Sequence, residues 1–406
     1  MAHFDIVTLG LLLLVACIVA IVSRRIGLPY SVGLVAAGVA LSLSGYRSGI
    51  TLTPELIFTV LLPPLVFEAA LHLRWDQFKR EAPLVLSLAF VGTLLSALVV
   101  AAGMHWLAHW GWQAALLFGA LIAATDPVSV IAMMKEQQAD KRLRFLMESE
   151  SLVNDGAAAV LFTLVAAWIA GGATDGGSIA LGLVKTVGGG VACGFAVAAG
   201  LLSIAGRSDD HLVETTLTML AAYGSFLVAE KVGVSGVLAT VTAGMLVGNW
   251  GRGRQITDTG QQAMIKFWDF AAFLANSVIF LLIGSREATQ PIATYMIPAA
   301  IGVALVLLGR IAAIYPITSL FGKTALRVDR LTQHILFWGG LRGGLAMALA
   351  LAAPAALAER EELISVAFAV VAFSIFVQGL TVPSLLRRSA GERRRDESSA
   401  ADPQHS

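Results

Sequence analysis

An aspartate beside a proline lies in the middle of a long apolar stretch that runs from Gln113 to Met134. An ionised carboxylate costs about 2.5–3.5 kcal/mol at the centre of a membrane helix, so Asp126 in such a place indicates a function. Pro127 removes a backbone donor and clashes with the preceding turn, which frees carbonyl oxygens near the carboxylate. Such a break is tolerated where it packs inside protein or lines a polar cavity. The Thr125-Asp126-Pro127 triplet therefore predicts a site for a small cation.

Four more polar side chains follow at close spacing in another apolar stretch: Glu150, Ser151, Asn154 and Asp155. Their separations of one, four and five positions place them on one face of a helix across about one turn. A stripe of this kind cannot face lipid, so we expect it to face a polar cavity or polar groups of neighbouring helices.

Two further segments combine charge with helix-breaking residues. Pro63 and Pro64 predict a broken helix with the carboxylate of Glu68 one turn beyond the break. Paired glycines on both sides of Arg342 weaken a helix and allow close backbone approach. Glycine clusters in membrane helices often serve packing alone, but a guanidinium here would neutralise the carbonyl ends of half-helices.

The composition is that of a membrane protein. The chain has 406 residues, of which 57% are hydrophobic and 14% charged, and its mean hydropathy is +0.78. A net charge of +1 gives no indication of nucleic-acid binding, and we expect Cys17 and Cys193 to be reduced packing residues. No basic segment precedes the first apolar stretch, which predicts a retained span and not a cleaved leader.

Apolar stretches of suitable length predict an all-α integral membrane fold with thirteen spans and short loops. Residues 1–386 then form a single transmembrane domain, and residues 387–406 form a short polar cytoplasmic tail. The predicted spans are residues 6–23, 29–45, 53–72, 83–106, 112–135, 145–171, 178–206, 211–230, 234–249, 262–284, 292–321, 330–354 and 361–386.

The loop charges give the orientation. An odd number of spans puts the termini on opposite sides, and twenty basic residues then share the side of the C-terminus, against four on the other side. The positive-inside rule therefore predicts an N-terminus outside and a C-terminus in the cytoplasm.

The two broken spans, five and twelve, are seven spans apart and so run in opposite directions. One carries Asp126 near its middle and the other carries Arg342. Interrupted helices at matching positions of two inverted repeats point to the binding site of a transporter. A channel would favour a continuous polar path, and no HExxH or GxSxG enzyme motif falls within a span.

Five segments resemble the NhaP/NHE-type branch of the monovalent cation–proton antiporters, in the order that the family has them. They are PPLVFEAAL (63–71), ATDPVSV (124–130), ESLVNDGAA (150–158), FLANSVIFLLIG (273–284) and GGLRGGLAMALAL (339–351). The spacing of ATDP and ESLxND is highly specific. We expect an electroneutral sodium (or lithium)/proton antiporter, not an enzyme, with potassium/proton exchange and, more remotely, a cation channel as alternatives.

The resemblance also implies roles for individual residues. Asp155 would carry a proton in one half-cycle and the cation in the other, while Asp126, Thr125, Ser151 and Glu68 would surround the ion. Asn154 stands where electrogenic relatives have Asp, which implies one proton per cation. Glu150 would pair with a buried arginine, Arg310 or alternatively Arg342, and Arg342 would lie at the second crossover. The oxygen donors of this set suit Na⁺ or Li⁺.

Family resemblance further implies a homodimer in the inner membrane of the cell, with no cofactor beyond the transported ions. Spans 5, 6, 12 and 13 would form a moving core bundle, and spans 1–3 and 8–10 an interface domain. Asn276 and Ser277 are expected to make inter-helix hydrogen bonds, and His72 and His334 are weaker candidates for pH sensing. Gly244 and Gly248 permit close helix contact, either at a dimer interface or within one protomer.

Overall fold

The computed structural model describes residues 6–44, 53–172, 176–251, 255–287 and 292–387, and these form an all-helical bundle. Sixteen α-helices lie within these ranges. They are α1 (Ile6–Ile26), α2 (Tyr30–Leu43), α3 (Leu62–His72), α4 (Trp75–Leu86), α5 (Thr93–Leu107), α6 (Trp112–Ala123), α7 (Val128–Glu136), α8 (Lys141–Ile169), α9 (Gly176–Ala205), α10 (His211–Lys231), α11 (Gly236–Leu246), α12 (Asp258–Glu287), α13 (Met296–Leu320), α14 (Arg330–Trp338), α15 (Gly344–Leu351) and α16 (Arg360–Phe373).

The helices fall at the thirteen predicted spans, which confirms the predicted fold. Within the described residues, eight helices or joined helices are long and apolar enough to cross a membrane. Span four starts earlier than predicted, because α4 begins at Trp75 with a polar first half and continues through a wide turn, Ser87–Gly92, into α5. Most of the predicted polar tail, residues 388–406, lies outside the described residues.

Spans five and twelve are each interrupted, as predicted. Span five consists of α6 and α7 with an extended segment between Ala123 and Val128, and span twelve consists of α14 and α15 with a segment between Trp338 and Gly344. Each half-helix exposes unpaired backbone groups at its broken end, where ions and side chains can bind.

The predicted break at Pro63 and Pro64 is wrong. The chain passes through a π-helical turn, Leu56–Leu61, and continues directly into α3, whose first turn contains both prolines. Proline fits the first turn of a helix because its missing N–H needs no partner there, and the wider turn before it relieves the ring clash. Span three is therefore continuous, and Glu68 lies on an intact helix.

Glycines bring several helices into backbone contact. A side chain on Gly38 of α2 would collide with the Leu281 carbonyl of α12, and one on Gly284 would collide with the Val35 carbonyl of α2. Gly244 and Gly248 place α11 against the backbone of α3 in the same way. The close contact predicted for this glycine pair is therefore made within one protomer.

Candidate functional site

The two interrupted spans meet at their breaks. The backbone N–H of Asp126 donates to the carbonyl of Leu341 at 2.7 Å, so the non-helical segment of span five pairs directly with that of span twelve. The approach is so close that a Cβ on Gly343 would collide with the Asp126 side chain. The resulting crossover joins two segments that lie far apart in the sequence.

Asp126 lies at the N-terminal ends of two half-helices. Its Oδ1 accepts from the backbone N–H of Val128 at 3.3 Å, in the first turn of α7. The N–H of Gly344, the first residue of α15, also faces this carboxylate. A negative charge is stabilised at the positive end of a helix dipole, so these two N–H groups offset part of the cost of burying the Asp126 carboxylate.

Arg342 places a positive charge at the C-terminal end of a half-helix, α14. Its side chain is buried, and Nη1 donates to the carbonyl of Gly340 at 2.9 Å, just after α14 ends. Its backbone N–H donates to the Ser374 hydroxyl at 2.8 Å, which attaches the crossover to span thirteen. The guanidinium therefore neutralises carbonyl groups at the end of α14.

Glu150 is paired with Arg310 and not with Arg342. Nη1 and Nη2 of Arg310, on α13, donate to the two Glu150 oxygens at 2.8 and 3.0 Å, and Nη2 also donates to the Leu336 carbonyl at 3.0 Å. Both side chains are buried. Removing one partner of such a pair costs about 3–5 kcal/mol, since the other charge stays buried, so this contact holds α8, α13 and α14 together.

The side-chain amide of Asn154 makes three hydrogen bonds, all to residues of the helix packing. Its Nδ2 donates to the Ala123 carbonyl and to the Thr125 hydroxyl, both at 3.1 Å. Its Oδ1 accepts from the Thr93 hydroxyl at 2.6 Å. The side chain therefore provides a hydrogen-bond donor for the carbonyl at the end of α6, which the helix break leaves without a helical partner.

Ser151 and Asp155 lie on the next strip of α8, beside Thr125. The Ser151 hydroxyl donates to the Thr125 carbonyl at 2.7 Å, and the Thr125 N–H faces the Asp155 carboxylate. Oδ1 of Asp155 is buried and has no hydrogen-bond partner among the described residues. The predicted stripe thus divides: Glu150 and Asn154 face the helix packing, and Ser151 and Asp155 face open space.

That space is a cavity of about 230 Å³. Its polar lining consists of Glu68, Thr125, Asp126, Lys135, Glu148, Ser151, Asp155 and Asn276. Lys135 and Glu148 lie toward the ends of α7 and α8 that the loop charges place in the cytoplasm. The cavity therefore runs from the crossover toward the predicted cytoplasmic side.

Of two adjacent polar residues of α12, the structure confirms the predicted role of one and not of the other. Ser277 makes the predicted inter-helix hydrogen bond, with the Tyr30 hydroxyl of α2 at 2.8 Å. Asn276 instead lines the same cavity as Asp155. Sequence reasoning also missed Thr93 and Ser374, because a lone hydroxyl in a membrane helix commonly bonds to its own backbone and carries no separate signal.

Most of the polar side chains that line the cavity present oxygen atoms. Oxygens come from the carboxylates of Asp126, Asp155 and Glu68, the Ser151 hydroxyl and Thr125, while Lys135 and Asn276 also contribute nitrogen atoms to the lining. Hard oxygen donors favour hard cations, and sulfur ligands are absent from the lining of this cavity.

Comparison with known proteins identifies the family. A sequence model described as "Sodium/hydrogen exchanger, transmembrane" matches residues 11–388, which is almost the whole chain. The chain belongs to this sodium/hydrogen exchanger family. It is thus a member of a family of transmembrane transporters, as the motifs predicted.

Characterised relatives of this exchanger align over most of its length. The chain is 37% identical over 369 residues to the low-affinity Na⁺/H⁺ antiporter NhaS1 of Synechocystis sp., with 89% of this chain and 69% of the relative covered. It is 31% identical over 403 residues to the Na⁺/H⁺ antiporter NhaH of Halobacillus aidingensis, with 95% and 98% covered.

The fold is that of a solved antiporter. The structure of the sodium proton antiporter MjNhaP1 from Methanocaldococcus jannaschii superposes with a TM-score of 0.75 at 18% identity, over 93% of this chain and 97% of that one. This likeness confirms the antiporter architecture of the exchanger family.

Proposed function

We propose that this chain is an electroneutral antiporter that exchanges Na⁺ or Li⁺ for H⁺ by alternating access. A proton and the cation compete for the carboxylate of Asp155. The observation that carries the proposal is the unpartnered, buried Oδ1 of Asp155, at the end of a cavity that otherwise presents hard oxygen donors. A buried polar atom without a partner is costly, and either a proton or a cation would remove that cost.

The other predicted site residues divide into ligands and supports. Asp126, Thr125, Ser151 and Glu68 line the same cavity and complete an oxygen site for the cation with Asp155. Asn154, Glu150, Arg310 and Arg342 fix the broken helices around that site through the contacts described above. This division assigns ion binding to groups that face the cavity and stability to groups that face the packing.

The proposed stoichiometry of one proton per cation rests on Asn154. An amide has no titratable proton, and all the hydrogen bonds of Asn154 hold the end of α6. Asp155 is then the only alternately protonated carrier, so each cycle moves no net charge.

The proposal also includes the parts that move. A core bundle with spans 5, 6, 12 and 13 carries the crossover, and spans 1–3 and 8–10 form the interface domain of a homodimer in the inner membrane. The cavity toward the predicted cytoplasmic side corresponds to an inward-facing arrangement. Glu68, on span three, belongs to the fixed wall, and Asp155 belongs to the moving one.

Proteoliposomes with a trapped pH dye provide the test. We expect Na⁺ or Li⁺ to dissipate a preset ΔpH, and Asp155→Asn to abolish this exchange because the amide cannot bind and release a proton. Glu148→Gln makes the same chemical change in the same cavity and should retain exchange. Exchange that persists in Asp155→Asn would refute the carrier role.

The same vesicles separate the alternatives. Exchange with K⁺ but not with Na⁺ would establish potassium/proton antiport, and a membrane potential should leave the rate unchanged if one charge moves each way. Since the ions compete, lowering the pH should raise the apparent KM for Na⁺, approaching about tenfold per pH unit, at constant maximal rate. Voltage-driven current without coupled proton movement would indicate a channel.

A further inference from the structure

A cluster of three possible metal ligands consists of Glu68, which lines the cavity, and of His72 and Asp269, which are not among its lining residues. Glu68 and His72 share one face of α3 at a spacing of four residues, and Asp269 approaches them from α12. One ligand atom from each residue lies within 4.8 Å of the other two. The side chains are 25%, 33% and 55% exposed, respectively, so ions in solution can reach them.

The tautomer of His72 follows from its contacts. Nδ1 lies 2.9 Å from the Glu68 backbone carbonyl and 3.3 Å from its carboxylate Oε1, both of which are acceptors. Nδ1 therefore carries a hydrogen, and in the neutral ring the lone pair is on Nε2.

Nε2 and an oxygen of Asp269 then face each other as two acceptors, 3.9 Å apart. Zinc lies about 2.0–2.1 Å from a histidine nitrogen and about 2.0–2.2 Å from a carboxylate oxygen, so one ion spans this gap with a small adjustment. The Glu68 carboxylate, whose Oε1 lies 3.3 Å from Nδ1, would turn toward Nε2 to supply a third ligand and would leave an open position for water. A histidine nitrogen beside two carboxylates suits Zn²⁺, Co²⁺ or Ni²⁺ better than Mg²⁺ or Ca²⁺, which take oxygen ligands.

We propose that Glu68, His72 and Asp269 form a regulatory site for a divalent transition metal at the cytoplasmic mouth of the transport pathway. The inhibitory effect rests on the proposed antiport function, and the binding itself does not. Glu68 also lines the cavity that leads to Asp155. A bound metal draws Glu68 away from the transported ion and adds positive charge at the entrance, where Lys135 is already present and Glu148 opposes it.

Transport measurements test the regulatory effect. Zn²⁺ at the cytoplasmic face of inside-out vesicles should inhibit exchange, and His72→Gln and Asp269→Asn should each retain exchange without the metal. Both substitutions should raise the Zn²⁺ concentration for half-inhibition by about tenfold or more, since loss of groups that merely orient ligands already costs about 10–100-fold in affinity. His334→Gln, which changes a histidine paired with Tyr315 instead, should leave the inhibition unchanged.

Calorimetry with Zn²⁺ and the visible spectrum of Co²⁺, on the purified protein, test binding without transport. One equivalent should bind to the unmodified chain and to Asp155→Asn, and binding should weaken in Asp269→Asn and at acidic pH, because metal ligands must be deprotonated to bind. If Asp155→Asn still binds the metal, the proposed metal site is supported even if the antiport proposal fails. Absence of stoichiometric binding, or inhibition that is undiminished in both ligand variants, would overturn the site.

Discussion

Asn154 and Asp155 are neighbours in the sequence and meet opposite environments. The amide of Asn154 makes three hydrogen bonds to Thr93, Ala123 and Thr125, while one oxygen of Asp155 has none among the described residues. Successive residues of a helix point about 100° apart, so one step along α8 moves a side chain from the packing to the cavity. The division between support and carrier follows from this rotation.

Replacing Asn154 by Asp tests its structural role. The carboxylate puts an acceptor where Nδ2 donates to the Ala123 carbonyl and the Thr125 hydroxyl, so at least one buried group loses its partner. We expect a loss of stability of about 1–3 kcal/mol, seen as a lower melting temperature of the purified protein. Asn276→Asp makes the same change at the cavity wall and should cost much less. Equal melting temperatures for the two variants would contradict this assignment.

The sequence predicted which residue types cluster but not all of their partners. Glu150 had two candidate arginines, Arg310 and Arg342, and helix periodicity cannot rank them because both lie on other helices. The three-dimensional packing puts Arg310 against Glu150 and Arg342 at the end of α14. Asn276 was misjudged for the same reason, since a cavity wall is formed only when several helices assemble.

At the scale of elements, the crossover depends on a glycine where two backbones approach. Gly343→Ala introduces a Cβ that collides with the Asp126 side chain, and the backbone of Asp126 is held in place by its hydrogen bond to the Leu341 carbonyl. We expect this variant to lose most exchange while it still inserts into the membrane, measured by the pH-dye assay and by size-exclusion elution.

Gly188→Ala is the matched control, because a Cβ at Gly188 of α9 meets nothing within 4 Å. It should retain full exchange and, if anything, a slightly more stable helix, since alanine favours helix more than glycine does. An active Gly343→Ala variant would show that the two breaks need not lie in contact for transport.

The helix breaks of spans five and twelve were predicted correctly. The break of span three was predicted wrongly, because a π-helical turn there accommodates the prolines without ending the helix. Pro127 follows Asp126 and leaves an extended segment, whereas Pro63 and Pro64 sit in the first turn of α3 after a π-helical turn. Proline in a sequence shows that a donor is missing. It does not show whether the helix stops or rearranges locally.

At the scale of the whole molecule, the loop charges predict that the cavity opens toward the cytoplasm. Ala132 of α7 is exposed and lines the cavity, and Lys231 is exposed at the end of α10 predicted to lie outside. In a chain without Cys17 and Cys193, a thiol at Ala132 should react with an impermeant maleimide only in inside-out vesicles. A thiol at Lys231 should react only in right-side-out vesicles, and the reverse pattern would overturn the predicted topology.

The number of spans and the two broken helices could be read from the sequence because hydropathy, charge and helix breakers act locally. The division into a core bundle and an interface domain, by contrast, remains a prediction. It concerns relative motion, which neither the apolar pattern nor one arrangement of the helices defines.

The hydrogen bond between Asp126 and Leu341 also has a consequence for biosynthesis. The ribosome produces Asp126 early, and its backbone partner emerges only after most of the membrane domain has been made. Span five is therefore made before the partner of this amide exists, and the two breaks can pair only after α14 and Leu341 have been synthesised. A truncated translation product that ends before α14 would carry the break of span five in the bilayer without the backbone carbonyl that pairs with it, which is costly in lipid.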